Sequence, residues 1–458
     1  MESVMVGNAI KVAFILLITL TVIIPCLEAG IAEFDNFLKI QAEEAYKIAL
    51  DTYVPTPEDV VNELNLHVHL ALENSTATRR RELGQKKLKG PCKASNPIDS
   101  CWRCNADWAN DRKKLAKCSK GFGRRAVGGL DGPFYVVTDN SDDDMVNPKP
   151  GTLRHAVVQD GPLWITFERS MIIELRQELL ISSNKTIDGR GANVQIKNGG
   201  GLTMQYVNNV IIHGIRVKNI VPKDGGMIRD SYNHFGFRTR SDGDAISLFG
   251  ASNIWIDHVS LSNSGDGLID VIMGSTGITI SNCHMTKHND VSTYLIHSYE
   301  LLTLVMLFGA NEHHEQDRIM QITVAFNHFG QGLIQRMPRC RFGFVHVLNN
   351  DYTHWLMYAI GGSSNPTILS QGNRFIAPND ENAKTITHRD YATPEEWKNW
   401  QWQSDMDLFM NGAKFIGSGA PIQLTYNKGL IMKPRDGTHV SRLTRHAGAL
   451  DCFVGKPC

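Results

Sequence analysis

From about residue 184 onward, valine and isoleucine alternate with polar residues in short stretches that end in asparagine or glycine. The stretches begin at residues 184, 209, 253, 277, 321, 343 and 366, so the intervals between them are 25, 44, 24, 44, 22 and 23 residues. Alternation with a period of two predicts strands, and a repeat of about 20–25 residues is typical of a solenoid. We therefore predict an all-β chain folded as a right-handed parallel β-helix, with room for two coils in each interval of 44 residues.

Other repeat architectures fit this pattern less well. A helical solenoid would need long segments with a 3.6-residue period, and a leucine-rich repeat would need LxxLxL, but neither occurs in this region. A β-sandwich is the structural alternative, although its strands would not recur in register. In a parallel β-helix, each coil buries its inward Val, Ile and Leu side chains against the next coil.

The N-terminus carries a separate apolar pattern. Residues 12–25 are almost entirely apolar, Lys11 precedes them, and the small residues Ala29 and Gly30 follow. This arrangement predicts a secretory signal peptide over residues 1–30. The alternative is an uncleaved membrane anchor, but a span needs about 20 apolar residues. We therefore expect a secreted protein without a membrane anchor after cleavage.

Residues 31–73 have a helical pattern, in which Thr56 can cap a helix whose first turn contains Pro57. The basic segment 79–89 follows, and it can be a solvated charge run, a processing site or a contact for an acidic polymer. We predict a helical extension with a basic linker over 31–91 and a β-helix domain over 92–435. A tail with two cysteines follows over 436–458.

Composition narrows the function without defining it. The 458 residues include 47 Lys and Arg against 47 Asp and Glu, which argues against a general nucleic-acid-binding protein. Hydrophobic residues make up 42% of the chain and charged residues 21%, as expected for a packed interior. Nothing indicates an obligate oligomer, so we expect a monomer.

Nine cysteines are present, and Cys26 would leave with the signal peptide. The eight that remain are Cys92, Cys101, Cys104, Cys118, Cys283, Cys340, Cys452 and Cys458. An even number in a secreted chain predicts disulfides, with the pairing left open. A CxxC motif at Cys101 and Cys104 can also indicate zinc or redox chemistry, but no second CxxC follows, which favours disulfides. The sequons at Asn74 and Asn184 are predicted glycosylation sites.

Four aspartates stand at related positions of two successive coils. The segment SDGDAI supplies Asp242 and Asp244, and GDGLID supplies Asp266 and Asp270. Asp242 and Asp266 lie 24 residues apart, about one coil, and the even spacing from Asp266 to Asp270 is compatible with one face of an extended segment. Converging carboxylates favour a hard cation such as Ca²⁺. The alternative is Asx-turn chemistry at the coil corners.

A second group of candidates is the segment QRMPRCR, which contains Arg336, Arg339 and Arg341. Planar guanidinium groups at this spacing can bind carboxylates. The segment around Asp257, His258 and Ser260 has the composition of a catalytic triad. Adjacent strand residues point to opposite faces, however, so Asp257 is poorly placed to orient His258. No glycine-rich nucleotide-binding loop occurs.

An ordered set of motifs resembles the plant pectate lyases. The segments are NPIDSCWRCNADWANDRKKLAKCSKGFG, GTLRHAV, TIDGRGA, SDGDAI, IWIDHVSLS, DGLIDV, GLIQRMPRCRFGFVHVLNNDYTHW and YAIGGSSNPTI. The resemblance runs from about residue 92 to beyond residue 430. Residues 31–91 are similar to the N-terminal extension of some members, including pollen and anther forms.

This resemblance implies a right-handed parallel β-helix that uses Ca²⁺ to cleave pectate in the plant cell wall by β-elimination, leaving 4-deoxy-unsaturated galacturonosyl ends. Carried over by motif, the calcium ligands are Asp242, Asp266 and Asp270, with Asp244 as an auxiliary ligand. The catalytic base falls on Arg336 and a substrate-binding arginine on Arg341. Because arginine is normally protonated, this base implies an alkaline activity optimum.

One departure from the family pattern stands between the aspartates and the arginines. About 14 extra residues, 292–305, separate KHNDV from MLFG and contain no Gly, Pro or Asn. Without them, the interval of 44 residues that starts at residue 277 falls to 30, which is still longer than its neighbours. If this insertion displaces the MLFG segment, Arg336 loses register with the aspartates. A catalytically impaired pectin-binding wall protein is therefore one alternative. The other is a pectin lyase for methyl-esterified substrate, which the acidic calcium ligands disfavour.

Overall fold

A computed structural model describes residues 35–82, 92, 94–289, 304–422 and 432–458. Within these ranges, three parallel sheets wrap around one apolar interior, which confirms the predicted parallel β-helix. The predicted signal peptide lies outside the described residues, as does the basic linker after residue 82.

The three sheets contribute one strand each to most coils. Sheet 1 contains ten described strands: Phe134–Val137, Leu163–Phe167, Lys185–Asp188, Asn208–His213, Ser252–Asp257, Thr276–Ser281, Gln321–Ala325, Phe344–Leu348, Thr367–Gln371 and Trp402–Asp405. Sheet 2 contains eight: Leu179–Leu180, Leu202–Gln205, Ile246–Phe249, Ile269–Ile272, Met306–Phe308, Arg339–Arg341, Ile360–Ser363 and Thr387–Arg389. Sheet 3 contains nine: Met171–Ile173, Val194–Lys197, Arg216–Ile220, Ser260–Ser264, His284–Met285, His328–Phe329, Asp351–Thr353, Arg374–Ile376 and Leu408–Met410.

Branched side chains stack in register through the interior of the solenoid. One row in sheet 1 consists of Val210, Ile254, Ile278, Ile322, Val345 and Ile368, all fully buried. Burial of each such side chain contributes about 1.5–3 kcal/mol relative to exposure. The repeated Val and Ile positions of the sequence therefore supply the apolar contact that holds each coil to the next.

Both 44-residue intervals contain one coil, so the expectation of a second coil is wrong for the first interval, and the insertion of residues 292–305 accounts for much of the length of the second. Strand Asn208–His213 pairs directly with Ser252–Asp257, and Thr276–Ser281 pairs directly with Gln321–Ala325. The extra residues of the first interval leave the solenoid as an antiparallel hairpin. We call this element the rim hairpin, and its strands are Gly226–Arg229 and Phe235–Arg238.

An asparagine ladder lines the corner between sheets 1 and 3. The side-chain amide of Asn327 donates to Asn350 Oδ1 at 2.9 Å, that of Asn350 to Asn373 Oδ1 at 3.0 Å, and that of Asn373 to Asp407 Oδ1 at 3.1 Å. The three asparagines are fully buried. They satisfy polar groups at a corner where the chain turns away from the strand hydrogen bonds.

Substitution of Asn350 by alanine should lower the free energy of unfolding by about 3 kcal/mol. The change leaves the Asn327 amide and the Val324 carbonyl, both partners of the Asn350 side chain, without their hydrogen bonds. Denaturant unfolding measures the difference. The exposed Asn147→Ala serves as control, and an equal effect of both substitutions would contradict the ladder's contribution.

The N-terminal extension forms two helices, as predicted. Helix α1 spans Asn36–Thr52 and helix α2 spans Pro57–Glu82. Thr56 precedes α2, and its hydroxyl donates to the Asp59 carboxylate at 2.9 Å. No helix in the described ranges combines the length and apolar character of a membrane span.

The extension covers the outer face of sheet 1. Leu64, Val68 and Leu72 of α2 are buried in the same apolar cluster as Trp164 and Trp255 of that sheet. The remaining helices are short: Pro97–Trp102, Leu153–Val157, Pro394–Trp397 and Val440–Leu443, with 3₁₀ turns at Arg112–Lys117, Phe122–Arg125, Glu315–Ile319, Glu381–Ala383 and Gly437–His439.

Disulfides staple the segment before the first coil, as the cysteine pattern suggests. The pairs are Cys92–Cys104, Cys101–Cys118 and, in the tail, Cys452–Cys458. Each cysteine of the CxxC motif has its own partner elsewhere, so this motif is neither a zinc site nor a redox pair. Cys283 and Cys340 are buried thiols in the apolar interior.

The last described segment, residues 432–458, runs back along the outside of the solenoid, and we call it the terminal strap. Three hydrogen bonds mark its course: Asn349 Nδ2 to the Arg435 carbonyl at 3.0 Å, Gly448 N to the Asn282 carbonyl at 2.6 Å, and Trp108 Nε1 to the Lys456 carbonyl at 3.0 Å. The strap thus passes from a late coil to the segment that precedes the first coil.

Candidate active site

The outer face of sheet 2 brings the predicted acidic and basic residues together. Ser247, Asp270, Leu307 and Arg339 occupy one register row on four successive strands. Their neighbours Ile246 and Ile269 point into the apolar interior, because strand side chains alternate between faces. Asp270 and Arg339 are therefore separated by one strand, and their backbones by about 10 Å.

Three carboxylates converge beside this row. One oxygen each of Asp242, Asp244 and Asp266 lies within 4.8 Å of the others. The turn with Asp242 and Asp244 precedes strand Ile246–Phe249, and Asp266 occupies the equivalent turn one coil later, as the 24-residue spacing predicts. The even spacing predicts Asp266 and Asp270 on one face of a single extended segment. This prediction is wrong, because Asp266 lies in the turn before the strand and only Asp270 lies in the strand.

Asp270 completes the group from the strand itself. Gly267 separates the Asp244 and Asp270 carboxylates, since a Cβ atom built on this glycine would lie 2.9 Å from Asp244 Oδ1 and 2.2 Å from Asp270 Oδ1. Asp244 accepts hydrogen bonds from Gly267 N at 2.7 Å and Ser247 Oγ at 2.9 Å. Asp270 Oδ1 is buried and has no hydrogen-bond partner. An acceptor in this state needs a ligand or a proton.

The electrostatics of the four carboxylates point to a cation. Burial and the negative charges of the neighbouring aspartates raise the pKa of Asp244 and of Asp270 well above the usual range. Burial, followed by the charge of Asp242, raises the pKa of Asp266 to about 6. A hard divalent cation would relieve both the repulsion and the missing contact of Asp270 Oδ1. The donor set is oxygen only, which fits Ca²⁺.

Arg336 lies near these carboxylates, just before strand Arg339–Arg341. Its carbonyl accepts a hydrogen bond from Met306 N at 2.7 Å, and its backbone has φ of 65°, in the left-handed region. Its positive charge opposes the rise in the pKa of Asp266 and Asp270. Arg336 Nε is buried without a hydrogen-bond partner. A buried donor without a partner, next to the carboxylates, leaves Arg336 available to a ligand.

The guanidinium groups of Arg339 and Arg341 differ in whether they are free to bind a ligand. Arg339 Nε donates to Asp390 Oδ2 at 2.7 Å, so an internal ion pair occupies this guanidinium. Arg341 Nη1 donates to the Gly309 carbonyl at 2.7 Å, and the residue lines a cavity of about 620 Å³. Burial, with the nearby charges of Arg339 and Arg336, lowers the pKa of Arg341 to about 10.

Comparison with known proteins assigns the chain to a family. A family model described as pectate lyase matches residues 173–394, and one described as pectate lyase, N terminus, matches residues 30–83. The pectate lyase of Lilium longiflorum is 57% identical over 430 residues, which cover 94% of this chain and 95% of the lily protein. The chain belongs to the pectate lyase family.

Further relatives and solved structures agree with this assignment. The probable pectate lyase P59 of Solanum lycopersicum is 53% identical over 99% of this chain and 100% of its own length. The crystal structure of jun a 1, the major allergen from cedar pollen, matches with a TM-score of 0.72 and 45% identity over 78% of this chain and 99% of that chain. The thermostable pectate lyase PL 47 is 18% identical with a TM-score of 0.50, so it shows the fold alone.

The strand between the acidic and basic residues is in register, although the predicted insertion of residues 292–305 precedes it. Most of that segment lies outside the described residues, but Leu304 and Val305 are buried, and the Val305 carbonyl accepts from Ile269 N at 3.1 Å. Strand Met306–Phe308 pairs with Ile269–Ile272 on one side and with Arg339–Arg341 on the other. Arg336 therefore keeps its place relative to the aspartates.

The triad-like segment contributes to packing rather than to the cleft. Asp257 Oδ2 lies 2.9 Å from Nδ1 of His213, one coil earlier, and His258 Nε2 lies 2.8 Å from Asp99 Oδ1. Asp257 and His258 are fully buried. As predicted, Asp257 does not orient His258: Asp257 hydrogen-bonds within the solenoid, to His213 and Ser281, whereas His258 holds the N-terminal segment against sheet 1 through Asp99.

The two predicted glycosylation sequons differ in surroundings. Asn74 lies on α2, where its side chain is not among the described ones. Asn184 is half-buried, and its Oδ1 accepts from Asn209 Nδ2 at 2.7 Å. Glycosylation at both sites stays a prediction.

Two residues at the cleft were not found from the sequence. Tyr358 is buried with its hydroxyl against Arg336, and burial raises the pKa of this tyrosine to about 12. Arg238, the last residue of the rim hairpin, donates to Gln205 Oε1 in the wall of the carboxylate cavity. Tyr358 stands in no charged motif, and Arg238 lies just before SDGDAI, but nothing in the sequence shows that either side chain faces the site.

Proposed function

We propose that this protein is a secreted, calcium-dependent pectate lyase that cleaves de-esterified pectin, or polygalacturonate, by β-elimination in the plant cell wall. Family membership supports the reaction class. One arrangement carries the proposal for this chain: Arg336 stands beside four clustered carboxylates, close enough for its charge to act on Asp266 and Asp270. A pectate chain in the cleft would contact both groups.

The reaction removes the proton on C5 of a galacturonosyl residue and breaks the bond from C4 to the glycosidic oxygen, which leaves with the neighbouring sugar and takes a proton from solvent. A double bond between C4 and C5 remains. We assign the proton-accepting role to Arg336, which can accept a proton only as a neutral guanidine. Tyr358 and the Met306 contact hold Arg336 at the cleft. We assign uronate binding to Arg341, through the N–H groups that Gly309 does not occupy.

Asp242, Asp266 and Asp270 would hold the calcium ion, with Asp244 as an auxiliary ligand. When bound, the ion would stabilise negative charge that develops on the substrate carboxylate. The hydrogen bonds from Gly267 and Ser247 fix the orientation of Asp244 beside the other three carboxylates. Before the ion binds, these carboxylates repel one another, which favours uptake of a divalent cation.

The first test follows the ultraviolet absorbance of the unsaturated product during incubation of the full chain with polygalacturonate. Absorbance should rise with Ca²⁺, stop rising when a chelator is added, and rise again when excess Ca²⁺ is restored. Turnover that persists in the chelator would refute the metal assignment. Methyl-esterified pectin is the control substrate, and faster cleavage of it than of polygalacturonate would refute the substrate assignment.

The effect of the insertion on activity is tested by comparing the full chain with a chain that lacks it. The in-register strand Met306–Phe308 supports activity in the full chain, against the alternative of a silent pectin-binding protein. A deletion for this purpose should end at residue 303, because Leu304 and Val305 belong to the coil. We expect cleavage by the full chain; cleavage by the shortened chain alone would favour the silent alternative.

A further inference from the structure

The N-terminal extension reaches the rim hairpin through Asp35, the residue just before helix α1. Asp35 caps this helix, because its Oδ1 accepts from Phe37 N at 3.0 Å. Its second oxygen, Oδ2, lies 3.1 Å from His234 Nε2 in the turn of the rim hairpin. The Phe37 ring stacks on the same imidazole, with centroids 4.1 Å apart and planes 10° apart. One end of α1 is therefore joined to the hairpin by a polar side-chain contact and a ring contact.

The contact continues from His234 to the cleft wall. His234 Nδ1 lies 2.9 Å from Asp230 Oδ2, and that carboxylate accepts from Arg238 Nη2 at 3.0 Å. Arg238 is buried and donates through Nη1 to Gln205 Oε1. Gln205 and Arg238 both line the carboxylate cavity, whose volume is about 370 Å³. An unbroken series of polar contacts thus joins the extension to the calcium-binding end of the cleft.

The hairpin has the local shape that this contact requires. A Cβ atom on Gly236 would lie 3.0 Å from Asp35 Oδ2, so a side chain there would crowd the carboxylate. The other end of α1 is fixed to the solenoid, where Thr52 Oγ1 accepts from Asn253 Nδ2 at 2.9 Å. Helix α1 therefore spans about 25 Å from sheet 1 to the hairpin. The hairpin also contacts the loop that follows the first strand of sheet 1, because the Arg229 amide donates to the Met145 carbonyl at 2.9 Å.

We propose that the N-terminal extension positions the rim hairpin at the Asp242 end of the cleft, with Asp35 and His234 as positioning residues for substrate and cation binding. Asp242 follows the hairpin after three residues, so the orientation of the hairpin sets the approach of this carboxylate. The kinetic consequence rests on the proposed lyase function, whereas the structural link does not. The extension thus helps to position the cleft residues and also covers sheet 1.

The test compares Asp35→Asn and His234→Gln with Glu44→Gln in the full chain. Asparagine is as good a helix cap as aspartate, so D35N keeps α1 and removes only the charge that faces His234. Glu44 is exposed on the same helix, which makes E44Q the control for loss of one charge. Hydrogen–deuterium exchange over residues 226–238 reports on the hairpin without any turnover, and calorimetric Ca²⁺ titration reports on the carboxylates.

We expect hairpin exchange about tenfold faster in D35N and H234Q, with calcium affinity about threefold lower. The KM for polygalacturonate should rise about fivefold with kcat nearly unchanged, since a positioning residue affects binding more than the chemical step. E44Q should match the unmodified chain in every measurement. Hairpin exchange as slow as in E44Q, or faster exchange with calcium affinity and KM unaltered, would overturn the proposal. If the unmodified chain cleaves nothing, the lyase function fails, and exchange and calcium affinity still decide this inference.

Discussion

Replacement of Arg336 by lysine should lower kcat on polygalacturonate by about 10³-fold and leave the calcium affinity nearly unchanged. Lysine keeps the positive charge but cannot place a planar guanidine against the Tyr358 hydroxyl, where Arg336 lies. The loss should appear in kcat more than in KM, because the group acts on the reacting proton. Steady-state kinetics at saturating Ca²⁺ measure both quantities.

The matched control for this prediction is Arg240→Lys. Arg240 is exposed and lines the carboxylate cavity, so the substitution repeats the chemical change near the same aspartates. Its kcat should stay within about twofold of the unmodified chain. If R336K retains kcat within about tenfold, the proton-accepting group is a different residue.

Asp270→Asn should weaken calcium binding by about 100-fold and abolish cleavage at low calcium concentration. The same change should raise the thermal midpoint of the calcium-free protein, because it removes the negative charge of one of four mutually repelling carboxylates. Opposite effects on calcium affinity and on metal-free stability distinguish a ligand from an aspartate that only supports the fold. Calorimetric titration and thermal unfolding in chelator provide the two values.

Asp224→Asn is the control for this second prediction, since Asp224 is exposed just before the rim hairpin and loses the same charge. It should leave both the calcium affinity and the metal-free midpoint unaltered. A D270N protein that binds calcium as tightly as the D224N protein would remove Asp270 from the ligand set.

The sequence was sufficient for the solenoid because its signal comes from rows such as Ile254, Ile278 and Ile322, where the same side-chain type recurs at every coil. It was insufficient for the two long intervals, since spacing alone cannot separate an extra coil from an excursion. The rim hairpin has strands of ordinary composition, and only its antiparallel pairing shows that it leaves the solenoid. Spacing alone could not predict the disulfide partners either, because pairing depends on which cysteines are close in three dimensions.

At the site, spacing placed Asp242 and Asp266 together because both occupy the same turn of adjacent coils. It could not show that Asp270 Oδ1 lacks a partner or that an ion pair with Asp390 occupies Arg339. These facts depend on contacts between residues distant in the chain. Residue type and motif therefore identified the charged groups, and burial and pairing decided which of them are available.

The terminal strap should affect how the terminal coils of the solenoid unfold. A solenoid whose coils contact only their neighbours frays from its last coil inward. Here the strap leaves the last coil and ends where Cys458 N donates to the Arg103 carbonyl at 3.1 Å, beside the start of the solenoid. The two ends are joined into a ring, so neither the first nor the last coil can peel away alone. Detachment of a terminal coil should therefore also break the strap contacts at Asn349, Asn282 and Trp108.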